Sequence, residues 1–225
     1  MSKRVTFPGP DGTTVHGTLT LPEGTERAPA IVLVQEWWGL NAHIDSLAAR
    51  LASEGFRVIA PDLYHGVTTT DPAEASRLMQ ALDTRAAVGE IGAAVAHAGG
   101  HERSNGKVGI TGFCLGGALT FAAACHVKGL SAVVPFYGIP MPEKVDYSRV
   151  EAPILAHFAL RDGWVTPEKA RALETTLEGL GKDIRFEYYE ADHAFVNDTR
   201  PDVYDPESAR LAWSRTVEFF HKHLS

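Results

Sequence analysis

KVGITGFCLGGAL, residues 107–119, reads as a buried strand, one abrupt turn and the start of a helix. Gly112 and Gly116 flank Phe113-Cys114-Leu115, so neighbouring backbones have room to approach while the chain reverses within a few residues. Cys114 then stands at the tip of a sharp strand-to-helix turn, a cysteine in the place of the serine of a G-x-S-x-G elbow. Two physical gains follow from that position. The sulfur sits at a helix N-terminus, where the dipole favours an anion, and the N–H of Leu115 is left free to bind a developing oxyanion. Taken alone, the stretch has a plainer reading, a small buried cysteine beside glycines that pack helix on sheet.

The pattern repeats outward in both directions. Residues 4–8 (RVTFP) and 13–22 (TTVHGTLTLP), with the turn signal Asp11-Gly12 between them, read as strands. After the polar stretch 23–29, AIVLVQ (30–35) is a continuous apolar run suited to a strand buried on both faces. Ile44, Leu47, Ala48 and Leu51 form a helical stripe within 43–54, closed by Gly55, and FRVIAPD (56–62) is the next strand. A polar segment, 67–72, leads to one or two helices over 73–98. Downstream of the elbow come strand 131–138, strand 153–160, helix 166–181, strand 184–191 and an amphipathic helix over 206–223. Such alternation predicts an α/β fold: a mostly parallel central sheet flanked by helices on both faces. Reactive groups in these sheets gather at the carboxyl ends of the strands.

The bulk properties bound the function. A chain of 225 residues with 44% hydrophobic content suits one domain, 1–225, with a sizeable core. Its net charge of -7 lacks the basic stripe that nucleic acid demands, and no block of like charge suggests a tail. Cys114 and Cys125, placed in one helix, are too far apart to bridge. MSKRVTFPGPDG has no apolar leader segment, and no run approaches a membrane span, so the expected place is the cytoplasm, where a thiol stays reduced. No HExxH or other metal-ligand spacing occurs; neither metal nor cofactor is expected.

A cysteine nucleophile needs a base. His193 follows the strand 184–191 and Asp162 follows the strand 153–160, so both should emerge at the sheet edge that carries Cys114. Nucleophile, acid and base in the order 114, 162, 193 is the order of the α/β-hydrolase triad, with the carboxylate fixing the imidazole tautomer. Asp192 competes for the acid role, but its place beside His193 suits loop shaping; among the remaining histidines, His65 also leaves a strand end. Gln35-Glu36-Trp37-Trp38-Gly39 follows the strand 30–35, where the N–H of Trp37 would be the second oxyanion donor. Glu36 by itself reads as a solvated loop carboxylate, and the tryptophans as pocket walls.

These residues resemble the dienelactone hydrolase (carboxymethylenebutenolidase) family, a cysteine branch of the α/β-hydrolase fold. The resemblance runs over nearly the whole chain and is carried by QEWWGLNAHI, VIAPDLYHG, SNGKVGITGFCLGGAL, FYG, the DGWVTP loop and DHAF. It implies hydrolysis of a lactone or small ester through a cysteine acyl-enzyme, with Cys114, Asp162 and His193 as the triad. It also implies that Glu36 hydrogen-bonds the resting thiol and that Trp38, Tyr64, Tyr137, Trp164 and Phe195 are pocket candidates. The expected partner is a small-molecule lactone or ester. Where the family places a carboxylate-clamping arginine after the histidine loop, this chain has Asn197; Arg77, Arg161 and Arg200 are the substitutes considered. A thioesterase using the same triad, or a non-catalytic redox-sensing thiol protein, are the competing functions.

Overall fold

The computed structural model describes residues 2–24 and 27–225. Residues 25 and 26 of the polar stretch 23–29, and Met1 of the N-terminal segment, lie outside the described residues. The strands are β1 Lys3–Pro8, β2 Thr14–Thr20, β3 Ala28–Val34, β4 Arg57–Pro61, β5 Ser104–Phe113, β6 Leu130–Phe136, β7 Ile154–Ala159 and β8 Ile184–Tyr189. Among the described residues they form one eight-stranded sheet in the order β1-β2-β4-β3-β5-β6-β7-β8. β2 runs antiparallel to both β1 and β4, while every pairing from β4 across to β8 is parallel. This is the α/β architecture expected from the sequence.

The helices are α1 Ala42–Ser53, α2 Pro72–Ala81, α3 Thr84–Gly100, α4 Leu115–His126, α5 Pro167–Gly179 and α6 Pro206–Leu224. Strand alternation decides which helices cover which face. On β3, Ala30, Val32 and Val34 join the core formed with α3, α4 and α5, through residues such as Ile91, Leu119 and Leu173. Ile31 and Leu33 point the other way, into the core formed with α1 and α6, through Leu47, Leu51 and Phe220. A strand buried on both faces must be apolar at every position, which accounts for the unbroken run AIVLV.

Local signals set the helix ends. Asn41 caps α1 by accepting from the Ile44 N–H at 3.2 Å, and Asp71, followed by Pro72, caps α2. The segment 73–98 resolves into two helices, because the Asp83 carboxylate accepts from the N–H groups of Arg85 and Ala86 and starts α3 afresh. β5 begins at Ser104, earlier than the expected Lys107, and takes in Gly106 at φ 87°. Cys114 and Cys125 are both free thiols among the described residues. No helix among them is long and apolar enough to cross a membrane.

Candidate active site

Four parallel strands end at one rim of the sheet, and each delivers one polar side chain. β3 leads to Glu36, β5 to Cys114, β7 to Asp162 and β8 to His193. The crossover connections force this: every return through a helix brings the next parallel strand up in the same direction.

Cys114 adopts φ 56° and ψ -114°, a conformation that an L-residue holds only when its surroundings over-determine it. Its N–H donates to the Phe136 carbonyl at 3.1 Å, and its own carbonyl accepts from the Ala118 N–H at 3.1 Å. The flanking glycines make that turn sterically possible. A Cβ on Gly112 would run into the Gly116 carbonyl, one on Gly117 into the Phe136 carbonyl, and one on Gly138 into the Cys114 carbonyl.

Nδ1 of His193 lies 2.6 Å from Oδ2 of Asp162, and the proton on that nitrogen donates to the carboxylate. The other carboxylate oxygen, Oδ1, accepts from the N–H groups of Trp164 at 2.7 Å and Val165 at 3.0 Å, so the acid is held from both sides. Burial alone would push the His193 imidazolium to lose its proton; the hydrogen bond to Asp162 and the neighbouring Cys114 outweigh it and raise the pKa to about 10. Nε2 is buried with no hydrogen-bond partner among the described residues. His193 and Cys114 line the same cavity, and the influence of Cys114 on the imidazole shows the two side chains to be near one another. Asp192, the competing acid, pairs instead with Arg161 at 3.2 Å. His65 is exposed and faces Glu90 at 3.6 Å, remote in its contacts from the cluster.

Glu36 is not the solvated loop carboxylate that its local sequence suggests; it is 2% exposed. Nor is its hydrogen bond the expected one to the thiol: Oε2 accepts from Nδ2 of Asn197 at 2.8 Å, and Oε1 is buried without a partner among the described residues. Burial, only partly offset by His193, Asn197 and Arg200, raises its pKa to about 7. A carboxyl that holds its proton more tightly folded than unfolded gives stability that is complete below about pH 4.5 and is lost as the pH climbs through about 7. Glu36→Gln is therefore expected to match the wild type near pH 4.5 and to exceed it by on the order of 3 kcal/mol near pH 8, measured by urea unfolding. Parallel pH dependences in the two proteins would contradict this burial.

Two cavities meet at this cluster. The first, about 280 Å³, is lined by Glu36, Trp37, Trp38, Cys114, His193 and Arg200, among others. The second, about 480 Å³, shares Cys114, Trp164 and His193 with it and includes Tyr137. Trp37 packs edge-on against both Trp38 and Trp164, with centroids 4.8 and 5.4 Å apart, and Trp164 stacks toward His193. Trp38, Trp164 and Tyr137 thus border the cavities. Tyr64 and Phe195 line neither. Phe195 is fully buried against Tyr137 and Tyr189, so it is core. Tyr64 is buried too; burial first, and then the nearby Cys114, push its phenol pKa up.

The arginines separate cleanly. Arg77 is engaged by Glu74 on the surface of α2, and Arg161 by Asp192. Arg200 lines the first cavity, with one guanidinium nitrogen on Asp202 at 2.8 Å. Sequence reasoning missed Asn197 as the partner of Glu36; the two are 161 residues apart, and nothing local announces the contact. No group of three or more His, Cys, Asp or Glu side chains that could hold a metal ion occurs among the described residues.

Residues 15–224 match the model of the dienelactone hydrolase family. The chain is 35% identical to a carboxymethylenebutenolidase of Pseudomonas putida, over 93% of this chain and 92% of that one. It is 33% identical to the protein usf of Aquifex pyrophilus, over 96% of each. Among solved structures, a putative dienelactone hydrolase of Klebsiella pneumoniae superposes with a TM-score of 0.89 at 27% identity, covering 99% of this chain and 98% of that one. An acylaminoacyl peptidase, at 17% identity and a TM-score of 0.78, shares the fold with this chain across 41% of its own length.

Proposed function

The chain belongs to the dienelactone hydrolase family, and on that premise we propose that it opens lactones or small esters through a thioester on Cys114. The observation that carries this reading is the 2.6 Å contact of buried Asp162 with His193, whose ring lines a cavity together with Cys114. In the proposed reaction the carbonyl oxygen of the substrate lies against the N–H groups of Leu115 and Trp37. The thiol proton resides on Nε2 of His193 when the sulfur attacks the carbonyl carbon, a placement that the raised pKa of the imidazole favours. The two N–H donors hold the resulting oxyanion, which is where most of the acceleration in such sites arises. As the intermediate collapses, the C–O bond breaks and His193 returns its proton to the leaving oxygen, which in a lactone stays tethered to the acyl group. His193 then deprotonates water, which attacks the thioester; the sulfur leaves and is reprotonated. Asp162 keeps Nε2 as the basic nitrogen throughout. Glu36 lines the same cavity as Cys114, with Oε1 unpartnered among the described residues and a pKa near neutrality.

Arg200 supports a substrate that carries its own carboxylate, since an arginine beside the nucleophile offers a charge-assisted contact. The test is a panel of five-membered unsaturated lactones with and without a carboxylate, alongside neutral aryl esters. Arg200→Ala is expected to raise KM for the carboxylated lactone roughly tenfold or more while changing the neutral substrates little. Equal effects on both, or turnover of acyl thioesters far above that of any oxygen ester, would count against the proposal.

A further inference from the structure

The second cavity is larger than one small lactone needs and differs from the first in chemistry. Leu82, from the link between α2 and α3, lines it together with Leu115 and Leu119 of α4, and the segments after β6 and β7 contribute Ile139, Met141 and Val165. No Asp, Glu, Lys or Arg lines it among the described residues, whereas the first cavity holds Glu36 and Arg200. Its mouth is apolar as well: Met141 is 64% and Trp164 58% exposed, an exposure of large apolar side chains that folding alone disfavours. Methionine at such a rim adapts to ligands of differing shape. Because Cys114 and His193 line both cavities, a group in the second remains covalently continuous with a carbonyl at the sulfur.

We propose that the second cavity seats an apolar arm of the substrate, which makes the preferred substrate an amphipathic ester. Its compact, acidic part faces Arg200 in the first cavity, the scissile carbonyl sits at Cys114, and an alkyl or aryl arm of butyl to octyl size lies among Leu82, Leu119, Ile139 and Met141. At about 480 Å³ the cavity falls within the range that encloses drug-sized ligands. This inference rests on the acyl-enzyme reading and adds a substrate class to it.

Two ester series test it, p-nitrophenyl acetate to octanoate on the acyl side and methyl to octyl esters of one small acid on the alcohol side. In one of the two, kcat/KM is expected to climb with chain length, by up to about fourfold per methylene, before levelling when the cavity is full. Met141→Asp and Leu82→Trp, which charge the rim and fill the interior, are each expected to lower the long-to-short ratio about tenfold. A ratio cancels any general loss of active protein. Rates that stay flat or fall in both series, with the acetate ester still hydrolysed, would overturn the amphipathic substrate and leave the acyl-enzyme intact. Failure of the wild type on every ester would overturn both.

Discussion

Cys114→Ala is expected to lower kcat for a small aryl ester by roughly 10⁴-fold or more. The size follows from the kind of contribution removed. On the proposed route no acyl-enzyme forms without the sulfur, and the variant is left with whatever oriented water and the two proposed N–H donors can do at the same carbonyl. In cooperating catalytic sets the loss of the nucleophile is about as severe as the loss of the whole set. The backbone that positions the residue should persist. The turn is held by main-chain bonds from Cys114 to Phe136 and Ala118 and by the close approaches of Gly112, Gly117 and Gly138. Alanine at φ 56° is no more strained than cysteine, so the unfolding transition should move little. A residual rate within tenfold of the wild type would remove Cys114 from the chemistry.

Asp162→Asn should be nearly as damaging, lowering kcat about 10⁴-fold in a protein that still folds. One carboxylate oxygen organises the loop by accepting from Trp164 and Val165, a role that an amide oxygen can keep. The other faces Nδ1 of His193 at 2.6 Å, and there the amide NH₂ presents a donor where an acceptor is required. The imidazole is then favoured with its proton on Nε2, the nitrogen that the proposed route requires free to take one from sulfur. The anion that helps raise the His193 pKa to about 10 is lost as well. The His193 ring titration, followed by NMR, should move to lower pH in Asp162→Asn together with the fall in kcat. Unchanged titration and a rate loss below tenfold would show that Asp162 does not serve His193.

The elbow was readable in the sequence because its demands are local. A reversal at Cys114 needs glycines within a few positions, and Gly112, Gly116 and Gly117 stand there. Asp162 and His193 could be placed because strand ends in a parallel sheet share one rim, whatever their separation along the chain. What was not readable depends on contacts across the fold. Glu36 looks like a loop carboxylate until Asn197 arrives from a distant segment and the surrounding protein excludes water from it. Phe195 and Tyr64 lie in the right loops for pocket walls, but the packing of Phe195 against Tyr137 and the burial of Tyr64 decided otherwise. The break between α2 and α3 carries no proline or glycine; only the capping carboxylate of Asp83 marks it. The second cavity has no motif at all, since its walls come from helix ends and loops that meet only in three dimensions.

The shortest route to the covalent chemistry is acid quench during turnover of an aryl ester, followed by mass analysis of the peptide around residue 114. A mass increase equal to the acyl group on that peptide, removed by hydroxylamine and absent from Cys114→Ala, is the expected result. Steady hydrolysis with the thiol unmodified, or the acyl group on another residue, would contradict a cysteine acyl-enzyme.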